Sequence, residues 1–192
     1  MIKKQKDNKK LNTIMAIFIG VIMVSSIAGM IWNHPESNLN YKGHKFKMAD
    51  NQIYTEIDGK NYFFHYFPTD LEKLNSTQEI DDTIRNLKMF YFTFNPEGRF
   101  LQYIDKARFD LANDLAQADF FFANAKTQKS ELYDIPIITC DNATSFVPVI
   151  YFKEGNRTGF FREGDCIIAE SSTKDGFLAL KDKLLYIILG VM

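Results

Sequence analysis

The sequence predicts a mixed α/β fold, of the α+β kind, that follows an N-terminal transmembrane helix. Three observations lead to this prediction. An uncharged apolar run fills residues 11–32, which is about the length that a helix needs to cross a bilayer. Short apolar and aromatic runs bounded by Gly, Pro and Asn indicate the strands of a mixed sheet. Apolar residues at three- and four-residue steps indicate a long central helix and a C-terminal helix.

The membrane segment is defined by both charge and hydropathy. Five lysines and one aspartate lie in the first ten residues, and residues 11–32 hold no ionisable side chain. A helix of that length spans roughly 33 Å, close to the thickness of the hydrocarbon core. Basic residues on its amino side predict a cytoplasmic N-terminus and an exterior C-terminal domain. The sequence therefore predicts a single-pass protein of the cell membrane that contacts the lipid bilayer through residues 11–32.

A cleavable signal peptide is the alternative interpretation of this start. It would be cut near Ser26-Ile27-Ala28 and would give the same topology. Apolar character resumes at Met30 and extends the run to a full span, so an uncleaved signal anchor is favoured over a signal peptide. The predicted organisation is a basic cytoplasmic tail (1–10), the anchor (11–32), a linker (33–43) and an exterior mixed α/β domain (44–192).

Within the exterior domain, Asp58-Gly59 lies between two aromatic and β-branched runs and predicts a β-hairpin. Capping-box spacing at Thr69/Glu72 and at Ser76/Glu79 predicts short helices. Residues 88–94 are typical of a buried strand.

Asn95-Pro96-Glu97 predicts the start of the long helix, because Asn caps, Pro fits the first turn and Glu favours the positive end of the helix dipole. The predicted apolar stripe of this helix consists of Phe100, Ile104, Ala107, Leu111, Leu115, Ala118 and Phe122. Its solvated side is predicted to carry Lys106, Asp110 and Asp114.

Four further runs, at residues 135–140, 147–152, 158–161 and 166–170, predict strands, with Gly-containing turns between the last three. A strand, helix and strand over residues 88–139 imply a right-handed crossover between parallel strands. A final helix is predicted after Ser172. Its last turns are apolar on nearly every side, which indicates a core helix, while a partner-binding tail is the alternative.

Cys140 and Cys166 are the two cysteines of the chain. In an oxidising exterior compartment, a structural disulfide is favoured over free buried thiols and over redox catalysis. Three sequons, at Asn75, Asn142 and Asn156, are candidate glycosylation sites that agree with an exterior domain.

Catalytic and cofactor motifs are absent from the sequence, which lacks GxGxxG, a Walker A loop, HExxH, GxSxG, CxxC and an EF-hand loop. The three histidines are not spaced as metal ligands, so neither a metal site nor a catalytic residue is predicted. A net charge of -1 argues against nucleic-acid binding, and no small-molecule cofactor is expected.

Two resemblances follow from the motifs. Residues 88–192, from "FYFTFNP" to "SFVPVIYFKEGN" and a closing helix, resemble the layout of the thioredoxin-like fold. That family's CxxC would fall around Phe94–Gly98, where no cysteine stands, so its redox function does not carry over. The whole chain, with "ITCDNAT", "DCIIAE" and "KDKLLYIILGVM", is similar to uncharacterised signal-anchored exterior-domain proteins of small-genome archaea, a family with no assigned function.

The functional expectation is a membrane-anchored extracytoplasmic domain that acts as a non-catalytic binding or assembly module, with an unidentified protein partner. The alternative is a membrane-tethered thiol oxidoreductase that uses Cys140 and Cys166 as a separated dithiol. On the sequence alone, enzymatic activity is the less favoured interpretation.

Overall fold

The computed structural model describes the backbone of residues 4–32, 39–49 and 52–192, and the side chains of residues 11–26, 39–48 and 52–192. The chain divides into two units, residues 1–37 and residues 38–192. Side chains of the predicted tail (1–10) and the stretch 33–38 lie outside the described part.

Helix α1, Lys4–Trp32, forms the first unit. Its described side chains, over residues 11–26, are all exposed. Within the described residues, no helix has both the length and the apolar character that a membrane span requires. The predicted span over residues 11–32 thus receives no support from the structure.

An antiparallel sheet of four strands opens the second unit, in the order β1 (Leu39–Tyr41), β2 (His44–Ala49), β3 (Gln52–Ile57), β4 (Lys60–Phe64). The hairpin at Asp58-Gly59 is confirmed, and both residues have positive φ, 51° and 75°, as a tight two-residue turn requires. Strand β1 lies inside the predicted linker 33–43 and pairs with β2, which begins just after it. The linker prediction therefore extends too far, because a three-residue strand leaves no clear alternation in the sequence.

Two short helices follow, α2 (Pro68–Leu71) and α3 (Gln78–Arg85). Neither begins at the predicted cap. Helix α2 starts directly at Pro68 without a side-chain cap, and the hydroxyl of Thr77, one residue after Ser76, accepts the N–H of Ile80 at the start of α3. The short helices themselves are confirmed.

The second sheet is mixed and has five strands in the order β6-β5-β7-β9-β8. All neighbours are parallel except β8, which is antiparallel to β9. The strands are β5 (Met89–Phe94), β6 (Phe121–Asn124), β7 (Val149–Glu154), β8 (Gly159–Glu163) and β9 (Cys166–Ser171), joined by α4 (Leu101–Gln117), a 3₁₀ turn (Cys140–Asn142) and a closing helix, α5 (Lys174–Ile188).

The predicted start of the long helix at Asn95 is wrong. Asn95 Oδ1 accepts the N–H of Glu97 at 2.9 Å, and the Asn95 carbonyl accepts the N–H of Gly98 at 3.1 Å. These bonds close a turn instead of a cap, because Asn hydrogen-bonds equally well to a backbone N–H two residues on. The helix starts at Leu101, five residues after Pro96, which the cap motif predicts as the first helical residue.

The end of the long helix also differs from the prediction. Asp119 adopts a φ of 53°, which stops the helix before the aromatic run. Phe122, predicted on its apolar stripe, lies in β6. That strand completes the parallel crossover, whereas the predicted strand over residues 135–140 contributes only an isolated bridge at Ile137.

Helix α5 is the shared core of the second unit. The ring of Tyr186 stacks on Phe64 of β4 with a centroid distance of 3.8 Å and meets Phe46 of β2 edge-on at 6.0 Å. The helix also contacts β9 and α4. Its predicted position in the core is therefore confirmed, and the partner-binding-tail alternative loses its basis because these residues are already covered.

The Phe64→Ala substitution is expected to lower the free energy of unfolding by about 3–5 kcal/mol, because it leaves a cavity beside Tyr186. Its neighbour Phe63 is 41% exposed, so Phe63→Ala is the matched control and should cost less than about 1 kcal/mol. Urea unfolding of the full chain measures both. Equal losses would contradict the placement of α5 against the four-stranded sheet.

Candidate functional site

Three consecutive charged residues of α5, Lys181, Asp182 and Lys183, are buried. A buried charge is costly unless opposite charges and hydrogen bonds compensate it. Lys183 finds its compensation in the Leu74 carbonyl, which accepts a hydrogen bond from Nζ at 2.8 Å. The other two belong to a larger group, the buried charge cluster, which consists of Asp114, Lys181 and Asp182.

Asp182 is fully buried and joins α5 to the end of β4. Its Oδ2 accepts the backbone N–H groups of His65 at 2.6 Å and Tyr66 at 2.9 Å. Its Oδ1 lies 2.8 Å from Nζ of Lys181. One carboxylate thus satisfies two backbone donors where the strand ends and balances the neighbouring cation.

Lys181 connects the cluster to α4, since its Nζ lies 3.4 Å from Oδ2 of Asp114. Asp114 is only 6% exposed, so its predicted place on the solvated side of α4 is wrong. Asp110, one turn earlier on α4, does lie on the solvated side and pairs with Lys106 at 2.7 Å. The periodicity of the helix therefore gives no sign that Asp114 is buried. Sequence spacing alone does not reveal that α5 brings a cation to Asp114.

His65 lies beside this cluster. Its Nδ1 is 3.8 Å from Oδ1 of Asp182 and has no hydrogen-bond partner within the described residues. The imidazole is therefore positioned next to a carboxylate without being bonded to it.

The pKa values of Asp114 and Lys181 are both raised in the cluster. Burial raises the pKa of Asp114 to about 6, and the like charges of Asp182 and Asp110 add to this against the attraction of Lys181. Burial alone would lower the pKa of Lys181, but Asp182 and Asp114 outweigh it and raise that pKa. Lys181 therefore remains a cation, and Asp114 takes up a proton as the pH falls to about 6.

A cleft of about 210 Å³ opens above the cluster, between β4 and α4. The four-stranded sheet contributes Gln52 and Phe63 to its lining, and His65, which follows the end of β4, and Lys181 also line it.

Helix α4 lines the opposite side of this cleft. Asp110, Asn113, Asp114 and Gln117 recur at three- and four-residue steps, so they share one face of the helix. Neither the amides nor His65 were singled out as site residues from the sequence. The available signal was "KDK" inside an otherwise apolar final helix, which marks charges that must be paired in the core.

The disulfide between Cys140 and Cys166 is confirmed. The two Cα atoms are 5.2 Å apart and the sulfurs are bonded. Cys166 is fully buried at the start of β9, where it packs with Val149 and Ile168. The bond fixes the 3₁₀ turn on the face of the five-stranded sheet, and a closed loop of this size contributes about 3–4 kcal/mol in the chain-entropy account.

The three candidate glycosylation sites, Asn75, Asn142 and Asn156, are all exposed. Oδ1 of Asn142 already accepts the N–H of Thr139 at 2.9 Å. Side chains of Asn75 and Asn156 make no such bond among the described residues. Their modification stays a prediction.

Comparisons with known proteins assign no family to this chain. No family profile matches its sequence, no curated protein matches it, and no solved structure matches its fold. Among the described residues, no group of three or more His, Cys, Asp or Glu side chains is arranged to hold a metal ion. The function must therefore be inferred from the geometry.

Stability should fall as the pH rises from about 4 to about 6 through the contribution of Asp114. The native state keeps its proton to about pH 6, whereas the unfolded chain releases it near 4, so the native state binds more protons in that window. Asp114→Asn removes this contribution, which amounts to about 1.4 kcal/mol per pH unit at most. Urea unfolding at pH 4, 5, 6 and 7 measures the difference in slope, and identical slopes for the two proteins would refute the raised pKa.

Proposed function

We propose that the protein is a membrane-anchored extracytoplasmic domain that works as a non-catalytic binding or assembly module. The anchor is residues 11–32, the cytoplasmic tail is residues 1–10, and the second unit lies outside the cytoplasm. The observation that carries the proposal is the disulfide between a surface turn and a buried strand, because structural disulfides persist in oxidising compartments.

The basis of the proposed anchor is the sequence, in which residues 11–32 form an uncharged apolar run. Large apolar side chains cover the described part of helix α1, including Ile17, Phe18 and Val24 at 62–68% exposure. Exposed apolar surface on this scale is unfavourable in water and favourable in lipid. The proposed span extends beyond Ser26, the last described side chain of the helix, to Trp32.

A binding function is favoured over catalysis by the way the buried charges are used. Asp182 and Lys181 are engaged with backbone donors and with each other, and Lys183 with a carbonyl. These groups support the fold and are not available as a free acid or base. The cleft presents the ring of Phe63 and the amides of Asn113 and Gln117, which bind ligands without reacting, beside the imidazole of His65 and the carboxylate of Asp110.

The alternative, a dithiol oxidoreductase, is disfavoured by burial. Thiol exchange needs an accessible sulfur and a stabilised thiolate. Cys166 is 0% exposed among apolar neighbours, and that environment disfavours a thiolate. A structural bond is the better interpretation of the pair.

Membranes from cells expressing the full chain test the anchor and the topology together. The protein should resist alkaline carbonate extraction, and deletion of residues 1–32 should release it. Protease added outside intact cells should degrade residues 38–192. Recovery of the full chain in the carbonate supernatant, or protection of the second unit from the protease, would contradict the proposal.

The proposal that the protein is non-catalytic is tested by a separate measurement. Purified full chain should give no hydrolase or oxidoreductase turnover, and the disulfide should be reduced by strong reductant only after unfolding, as alkylation with and without denaturant reveals. Turnover that a single substitution in the cleft abolishes would refute the binding-module assignment. Reduction of the folded protein by a mild thiol would favour the oxidoreductase.

A further inference from the structure

We propose that the cleft between β4 and α4 is a binding site for a neutral, hydroxyl-rich ligand, namely a sugar ring. The inference rests on the proposed binding function and names the ligand class of that function. It combines three features of one cleft: an exposed aromatic face, unpaired amides and a paired cation and carboxylate at the base.

The aromatic face belongs to Phe63. This side chain is 41% exposed at the edge of the cleft, on the face of β4 opposite to the buried Tyr62 and Phe64. Its ring rests against Tyr54 of β3 at a centroid distance of 5.6 Å, so its orientation is fixed before a ligand arrives. An ordered, exposed ring offers the apolar C–H face of a sugar a surface on which to stack.

The amides stand across the cleft on one face of α4. Asn113 and Gln117 are four residues apart and exposed, and their side chains make no hydrogen bond within the described part of the chain. An amide presents a carbonyl acceptor and two N–H donors side by side. Two such groups on consecutive turns can each bond a hydroxyl, which is also both donor and acceptor.

The base of the cleft is the outer part of the buried charge cluster. An ammonium has three N–H donors, and Nζ of Lys181 has two carboxylate neighbours, Asp182 at 2.8 Å and Asp114 at 3.4 Å. Asp114 bonds Lys181 through Oδ2, and its Oδ1 makes no hydrogen bond among the described residues. The third N–H of Lys181 and Oδ1 of Asp114 are thus the donor and the acceptor that the base of the cleft offers to a ligand.

Charge and size narrow the ligand class. Three carboxylates, Asp110, Asp114 and Asp182, act on Lys181, and Lys106 pairs with Asp110, so three negative charges face two positive ones and an anionic ligand would be repelled. The volume of about 210 Å³ is below the range of about 300–1,000 Å³ that is usual for drug-sized ligands. A single neutral ring with several hydroxyls fits both limits.

Saturation-transfer NMR on the full chain in lipid nanodiscs, without glycosidic detergents, tests the site. The probes are methyl β-glucoside, methyl β-galactoside, methyl α-mannoside and N-acetylglucosamine, with glucose 6-phosphate as the anionic comparison. At least one neutral probe should receive saturation. Phe63→Ala and Gln117→Ala should each weaken its binding about fivefold to tenfold, since each removes one stacking or hydrogen-bonding contact.

Each variant has a matched control on α4 outside the cleft. Phe109 is 66% exposed and does not line the cleft, so Phe109→Ala should bind the probe as the unmodified chain does. Gln102 is exposed on the same helix, and Gln102→Ala should also bind normally. Unchanged urea-unfolding midpoints for all four variants establish that lost binding is not lost folding.

The inference is overturned if no neutral probe receives saturation, if glucose 6-phosphate binds as well as the neutral sugar, or if Phe63→Ala and Phe109→Ala weaken binding equally. Such a failure of the sugar site does not contradict the proposed function if the chain also resists carbonate extraction and gives no turnover. Conversely, if carbonate extracts the protein and the protein still binds sugar, the anchor is refuted and the sugar site is supported.

Discussion

The carboxylate of Asp182 is the group on which the second unit depends most. It is completely buried in the middle of α5, and it accepts two consecutive backbone N–H groups at the end of β4. A carboxylate in such a place costs several kcal/mol in lost hydration, and only fixed donors and a nearby cation offset that cost. The strand end, the helix and Lys181 must therefore come together in one geometry, because any other arrangement leaves a charge unpaired.

The neighbours of Asp182 on α5 extend the same constraint to other parts of the unit. Lys181 reaches Asp114 on α4, and Lys183 reaches the Leu74 carbonyl between α2 and α3. One turn later, the hydroxyl of Tyr186 donates to the Tyr66 carbonyl at 3.0 Å. The apolar faces of α5 supply most of the burial, while these four polar side chains determine where the helix lies against each element. The cleft and its proposed ligand contacts follow from that placement, since Asp114 and Lys181 form its base.

The sequence predicted elements well where a local signal was sufficient. Asp58-Gly59 specified the hairpin, and the continuous apolar runs identified β5, β7 and β9. The predictions from the sequence failed where a tertiary contact determines the local structure or the burial of a residue. Asn95 hydrogen-bonds locally to make a turn, so the cap motif placed the helix start five residues early. The burial of Asp114 depends on Lys181, which is 67 residues away, and no periodicity within α4 contains that information. The disulfide was predictable only through the expected membrane topology, which would place the two cysteines in an oxidising compartment.

We infer that Asp182 makes the four-stranded sheet and the five-stranded sheet one cooperative unit. Native-state hydrogen exchange of the His65 and Tyr66 amides tests it most directly, because these two N–H groups bond the carboxylate itself. We expect them to exchange only through global unfolding, with the same free energy as the amides of β9. Exchange of His65 and Tyr66 through a local opening, at a free energy well below that of β9, would contradict the claim and would mean that the four-stranded sheet separates from α5 on its own.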